Sequence, residues 1–327
     1  MDKAAGCAVR GFIVGNPDVI IETINLTKRY GELIALNNLH LNIEEGECFG
    51  YIGPNGAGKT TTIKILATLL QPTWGEARVC GQVIGYESRK IRPLIGYVPD
   101  FFGAYDDMVV QEYLEFFASA YGITGQQRRR IVGDILDLTD LTYKREALVD
   151  GLSRGMKQRL SIARVLLHDP KVLLLDEPAS GLDPRARIEI RELLKELHRM
   201  GKTIVISSHI LHELAELCST VGIIERGELL FHGSVREVTR RARMGTRVKI
   251  GVRGRLSDAA KVLKQLDPVK TVEQGNGTLS VELASDTHDF SFLVVALLKH
   301  QLSITELREE EVNLEMAFLR LTKGIVQ

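Results

Sequence analysis

The residues in this chain whose types and spacing most clearly imply chemistry are Gly53-Pro54-Asn55-Gly56-Ala57-Gly58-Lys59-Thr60-Thr61. They satisfy the pattern G-x-x-x-x-G-K-[ST], with Gly53 and Gly58 at the glycine positions and Lys59-Thr60 closing it. Glycines let the backbone turn tightly enough for successive N–H groups to face an anion at the positive end of a helix dipole. Lys59 adds a point charge for β- and γ-phosphates, and the Thr60 hydroxyl is an oxygen ligand suited to Mg²⁺. A glycine-rich turn before a helix is the bland alternative, and it leaves the Lys-Thr register unexplained. We expect a nucleoside triphosphate here, cradled by residues 53–61.

A second group is Val172-Leu173-Leu174-Leu175-Asp176-Glu177, an apolar run closed by two acids. A buried strand ending this way sets its carboxylates at the sheet's carboxyl edge, where ligands bind in open α/β folds. Asp176 is placed to reach Mg²⁺ directly or through water, and Glu177 to polarise an attacking water as a general base. Two acids after a strand also suit a helix N-terminus. Only the phosphate-type loop upstream, with Pro178 breaking the chain next, favours the catalytic reading.

The elements that must hold these groups can be read from the flanking text. Cys48-Phe49-Gly50-Tyr51-Ile52 reads as a buried strand entering the loop, and Thr62-Ile63-Lys64-Ile65-Leu66-Ala67 as the helix leaving it. Strand text fills Val19–Ile24, Leu26–Tyr30, Leu33–Leu36 and Leu39–Ile43, with a turn at Gly31-Glu32. Pro72–Ala77 reads as a loop, Arg78–Gly81 as a short strand, and Ile95–Pro99 as another. From about 100 to 164 the pattern is helical, with one face on Val110, Tyr113, Leu114 and Phe117 and a second on Ile131, Ile135, Leu136 and Leu138. Val172–Leu175 and Thr203–Ser207 are β-rich runs separated by an amphipathic stretch from Arg185 to Met200, which predicts βαβ units and a parallel sheet. Val221–Glu225 and Glu228–His232 predict a hairpin turning at Arg226-Gly227.

Beyond Val235 the arginines Arg236, Arg240, Arg241, Arg243 and Arg247 suggest a basic connector, in its plain form a solvated helix and linker. A small domain is expected after it: a strand at Arg247–Val252, a helix capped by Ser257, and a hairpin across Gly275-Asn276-Gly277. A helix at Phe290–Leu298, a strand at Ile304–Arg308 and a last helix on Leu314, Ala317, Phe318 and Leu321 complete it. The order βαββαβ predicts a ferredoxin-like unit.

At this point the chain resembles a known family. Leu152-Ser153-Arg154-Gly155-Met156-Lys157-Gln158-Arg159-Leu160 resembles the signature motif of ATP-binding cassette (ABC) ATPases, which lies just upstream of their acidic strand. Ser180-Gly181-Leu182-Asp183 resembles their D-loop and Ser207-Ser208-His209 their switch-histidine loop, while Tyr30 stands where the family stacks adenine. The resemblance covers roughly residues 19 to 235. It implies an α/β chain: a P-loop NTPase core with an antiparallel β subdomain and a helical subdomain, and here a C-terminal α+β, ferredoxin-like domain. It implies ATP and Mg²⁺ as cofactors, Glu177, His209 and Lys59 as catalytic residues, and Thr60 with Asp176 on the metal. It also implies that Ser153 and Gly155 face the γ-phosphate held by a second cassette, with Asp183 bridging the two. Asp100 stands where the family usually has glutamine; it is shorter and charged but within reach of Mg²⁺. Arg154 replaces the first glycine of the signature.

The implied partners are a second copy or a paralogous ATPase subunit and a separate multispanning permease. Phe101-Phe102-Gly103-Ala104-Tyr105 reads either as a surface for that permease or as packing of the subdomain joint. Leu314–Leu321 resembles the closing segment of cassettes that serve bacterial export permeases, so export is expected over uptake. Soluble ABC ATPases and slowly hydrolysing regulatory binders are the competing classes. Across 327 residues, Lys+Arg 42 balances Asp+Glu 42, which argues against nucleic acid as the main partner. The apolar run Phe292–Leu298 is far shorter than the roughly 18 residues of a bilayer span, and no signal-type segment is expected at 1–18, read as a tail. The cysteines Cys7, Cys48, Cys80 and Cys218 lack C-x-x-C spacing and suggest reduced thiols. The expected location is cytoplasmic, peripheral on the inner face of the cell membrane. The expected boundaries are a cassette over 19–235, a linker over 236–246 and an accessory domain over 247–327.

Overall fold

The computed structural model describes residues 18–100, 103, 107–210, 214–242, 247–275, 277–284 and 289–310. Residues 1–17 of the expected tail over 1–18, the aromatics Phe101, Phe102 and Tyr105, Arg243, Asn276 and the expected helix on Leu314–Leu321 lie outside them.

The chain opens with β1 (Val19–Tyr30) and β2 (Leu33–Glu44), then β3 (Cys48–Ile52) and α1 (Lys59–Leu66). It continues with β4 (Trp74–Val79), β5 (Gln82–Val83), α2 (Ser88–Ile91) and β6 (Ile95–Val98). Helices α3 (Val110–Ala120), α4 (Gly125–Leu138) and α5 (Arg154–Leu166) precede β7 (Val172–Asp176), α6 (Pro184–Arg199) and β8 (Thr203–Ser208). Then come β9 (Thr220–Glu225), β10 (Glu228–Ser234) and α7 (Val235–Ala242). The last described elements are β11 (Arg247–Val252), α8 (Leu256–Lys264), β12 (Val269–Gly275), β13 (Thr278–Leu283), α9 (Ser291–Lys299) and β14 (Ile304–Glu310).

Three sheets result. The central one has order β10-β9-β3-β8-β7-β6, with β9, β3, β8, β7 and β6 mutually parallel and β10 an antiparallel edge. Its strands are apolar on both faces because both are covered. Leu173 and Leu175 of β7 join the core beneath α3–α6, whereas Val172 and Leu174 join the core shared with α1 and the antiparallel sheet β2-β1-β4-β5. The period-2 alternation of a strand thus divides one apolar run between two cores.

The third sheet, β12-β13-β11-β14, is antiparallel and has α8 and α9 in its own core of Val248, Ile250, Ala259, Leu263, Leu279, Val281, Leu293 and Leu297. That strand order is the ferredoxin-like one read from the βαββαβ pattern.

Two local expectations are corrected. Trp74–Val79 is a strand rather than loop followed by strand, and Cys80-Gly81 is its turn, both residues at positive φ (50° and 74°). Gly75 disguises that strand: a β-carbon there would collide with the Asn25 carbonyl of β1, so only glycine permits the close approach. Helix α8 starts at Leu256, one residue before the expected cap Ser257, and Arg255 bonds Asp258 across its first turn at 2.9 Å. The basic connector, expected as a solvated helix and linker, begins as helix α7, whose Val238 is fully buried in the core under α3–α6.

Candidate functional site

Strand β3 delivers the chain into the turn 53–58 at the carboxyl edge of the central sheet. The glycines there are obligatory. A β-carbon on Gly53 would meet the Ile224 carbonyl, and Gly58 sits at φ 108° with its would-be β-carbon 2.6 Å from the Ala35 carbonyl. Gly58 is also the N-cap of α1, and no side chain caps that helix, so its first-turn N–H groups are left for a ligand. Helices α5 and α6 differ: Ser153 accepts from Met156 N, and Asp183 accepts from Arg185 N and Ala186 N.

Beneath the turn lies a continuous polar chain. The Thr60 hydroxyl donates to Asp176 Oδ1 at 3.1 Å, and the Ser207 hydroxyl donates to the same oxygen at 2.7 Å. Ser207 in turn accepts from the Glu177 N–H at 2.9 Å, with Glu177 in the left-handed region at φ 51°. His209 Nδ1 donates to Glu177 Oε2 at 2.8 Å. Lys59, almost wholly buried, donates to the carbonyls of Gly53 (2.7 Å) and Pro54 (3.1 Å) and lies 3.4 Å from Glu177 Oε1. Burial pushes its ammonium below the ordinary lysine range, while Glu177 and then Asp176 hold it up. An anion with several negative oxygens would relieve that tension. Burial pushes the Tyr97 phenol up to about 12, helped by the charges of Asp176 and Asp100.

These groups border an open cleft of about 410 Å³ lined by Tyr30, Leu33, Ala35, residues 55–61, Asp100, Glu177, Ser180 and His209. The cleft has an apolar end at Tyr30 and Leu33 and a charged end at Lys59 and Glu177, the polarity of a nucleotide. Tyr30 is 47% exposed, and Lys28 Nζ lies 5.2 Å from its ring centroid. The donor set fits the cofactors the pattern implies. Thr60 and Asp176 present a hydroxyl and a carboxylate, the sparse oxygen set of a Mg²⁺ ion that keeps waters and phosphates as its other ligands. Among the described residues no cluster of three or more His, Cys, Asp or Glu offers a transition-metal cage.

The structure therefore brings together Tyr30, Asn55, Gly56, Ala57, Gly58, Lys59, Thr60, Thr61, Asp100, Glu177 and His209 around one space, with Gly53, Pro54 and Asp176 directly beneath. It does not bring Ser153, Gly155 or Asp183 to that space. Ser153 and Asp183 head helices, and Gly155 packs so that a β-carbon would lie 2.7 Å from that of Ala186 in α6. Sequence reasoning passed over Ser207, the hinge of the polar chain. The parallel pairing that sets Asp176 opposite Ser207 shows only in the fold. Leu33 and Ala35 complete the lining without any motif of their own, and Ser180 brings the first residue of the D-loop-like motif to it.

The chain is similar to several known proteins. The family described as ABC transporter matches residues 36–180. The linearmycin resistance ATP-binding protein LnrL of Bacillus subtilis (strain 168) is 31% identical over 305 residues, 93% of this chain and 98% of that protein. Nod factor export ATP-binding protein I of Burkholderia orbicola (strain AU 1054) is 42% identical over 214 residues, 65% of this chain and 70% of its own. Among solved structures, the ATP-binding cassette MJ0796, a dimer in a post-hydrolysis state bound to ADP and Pi, superposes with a TM-score of 0.60 at 30% identity. It covers 66% of this chain and 99% of its own. An ATP-binding subunit of an ABC transporter superposes with a TM-score of 0.62 at 28% identity, covering 68% and 92%.

Proposed function

The chain belongs to the ATP-binding proteins of ABC transporters, and from that premise we propose that it is an ATPase subunit whose catalytic cleft is the one between Tyr30 and Glu177. The observation that carries the site is the polar chain Thr60–Asp176–Ser207–Glu177–His209 beneath an uncapped helix N-terminus. The N–H groups of residues 56–61 and Lys59 bind the phosphates, and Tyr30 stacks the adenine. Thr60 and Asp176 would hold Mg²⁺, and Asp100 on the cleft wall would add a carboxylate on the same side. When bound, that ion supplies positive charge across the β- and γ-phosphates. Glu177 accepts a proton from the attacking water as the new P–O bond forms, and the bond to the bridging oxygen of ADP breaks. His209 fixes the carboxylate's orientation, leaving one oxygen free of its hydrogen bond.

Ser153, Gly155 and Asp183 stand apart from the cleft of their own chain, which supports the reading that they serve a second cassette. The working unit is then a dimer, of two copies or of this chain with a paralogous ATPase subunit, enclosing ATP at composite sites. Among the described residues no helix is long and apolar enough to cross a membrane. A separate multispanning permease supplies the transport path, with this subunit on its cytoplasmic face. Relatives named for Nod factor export and linearmycin resistance favour export as the direction. The cassette spans 19–235, the connector 236–246 and the accessory domain 247–327, and no nucleic-acid partner is called for. The test is phosphate release by the purified protein across the dimerisation range. A rate that rises more steeply than protein concentration is expected, and strict proportionality would contradict the dimer. Co-purification with a multispanning membrane protein tests the coupling to transport.

A further inference from the structure

The two motifs that stay out of the cleft are joined to one another inside the chain. Arg154 is the first residue of α5, directly after its N-cap Ser153. Gly181 lies in the loop between Glu177 and α6, at φ +65°. A β-carbon built on Gly181 would fall 2.6 Å from Arg154 Cζ and 2.8 Å from its Nη2, so the guanidinium occupies the space a side chain would take. One residue further, Gly155 bears on Ala186 of α6. Consecutive residues of the α5 first turn thus rest on the 181–186 stretch.

That stretch is joined to the backbone of Glu177 by a tight turn. The Ser180 N–H donates to the Glu177 carbonyl at 3.0 Å, and the Leu182 N–H to that of Ala179 at 3.4 Å. Arg187 Nε donates to the Leu182 carbonyl at 3.0 Å, and Asp183 caps α6. Arg154 itself is exposed and has no hydrogen-bonded or ion-paired partner among the described residues. It is a cation at the positive end of its own helix, with no acid in the first turn to balance it. An anion arriving at Ser153 would draw the planar guanidinium fork to itself, and so off Gly181.

We propose that Arg154 is a positioning residue that couples the two composite sites, holding the 180–183 loop by its seat on Gly181 and releasing it when the partner cassette's γ-phosphate reaches Ser153. The release lets the loop, and Glu177 at its start, settle for hydrolysis in the chain's own cleft. This rests on the two-cassette reading above.

The experiment measures ATP hydrolysis by the full-length protein against ATP concentration, and ATP affinity at protein concentrations too low to dimerise. Wild type should show a Hill coefficient rising from 1 toward about 2, the number of coupled sites. Arg154→Ala should bring it to about 1 while changing monomer affinity less than about twofold. Arg154→Lys should not restore it, because an ammonium lacks the planar fork. An Arg154→Ala protein with unchanged melting temperature and the wild-type Hill coefficient overturns the coupling and leaves the dimer standing. A wild type with a Hill coefficient of 1 and a rate proportional to protein concentration overturns the dimer, and the coupling with it.

Discussion

Replacing Ser207 with alanine removes a hydroxyl of about one atom's volume, yet the structure makes it expensive. Ser207 is fully buried, donates to Asp176 Oδ1 at 2.7 Å and accepts from the Glu177 N–H at 2.9 Å. The substitution deletes a hydrogen bond to a charged group, about 1.5–3 kcal/mol, and strands a partly buried backbone donor at about 1–3 kcal/mol. Because the two losses share one atom they overlap, and a net cost of about 3 kcal/mol is expected. At roughly 2–4 °C per kcal/mol for a domain of this size, the melting temperature should fall by roughly 6–12 °C. Activity should fall as well, chiefly in kcat, because Glu177 sits at a positive φ held in place by that hydroxyl. The internal control is Ser208→Ala. Among the described residues the Ser208 hydroxyl accepts only from the Ile210 N–H, at 2.9 Å, so its loss should cost about 1 kcal/mol or less. Thermal melts of the three proteins with phosphate-release kinetics on each decide the matter. A Ser207→Ala protein within 1 °C of wild type, or no less active than it, would refute the role assigned to the hydroxyl.

Two further outcomes are expected. Tyr30→Ala should weaken ATP binding by about 1–3 kcal/mol, roughly five- to 150-fold in Kd, with kcat at saturation largely kept; titration calorimetry reads it, and a loss confined to kcat would place adenine elsewhere. Because burial sets the Lys59 pKa below its ordinary 10.5 and bound phosphates should raise it again, ATP binding should take up protons in alkaline solution. Affinity then falls as pH rises through the depressed Lys59 range, while the stability of the ATP-free protein gains over the same window, since the folded state releases its proton before the unfolded one. Calorimetry in buffers of different ionisation enthalpy measures the uptake, and an affinity constant up to about pH 10 would refute it.

The parts of this fold that were legible in the sequence are those where one local rule acts alone. Gly53 and Gly58 must be glycine because neighbouring carbonyls leave no room for a side chain, and such a requirement shows in the text. The apolar runs of β3, β7 and β8 show because both faces of their sheet are covered. The ferredoxin-like order was readable from its alternation of strands, helices and a two-residue hairpin. Where tertiary contacts overrode local signals, reading failed. Trp74–Val79 looked like loop because Pro72 and Gly75 are turn residues, but Gly75 serves the close approach to Asn25. Ser257 looked like a cap, yet α8 begins before it, with an Arg255–Asp258 pair at its start. Ser207 was read only as the start of the Ser207-Ser208-His209 motif, because its role depends on lying opposite Asp176 across two parallel strands, a relation that no spacing within one segment encodes.

The claim on which the account stands is that Glu177 is the base for hydrolysis of ATP held in this cleft. Glu177→Gln keeps the shape and the Ser207 bond to its backbone while removing the proton acceptor. Phosphate release by that variant, measured beside its ATP affinity, should fall by about 10²–10⁴-fold with affinity retained. A Glu177→Gln protein that hydrolyses ATP at the wild-type rate would contradict the assignment.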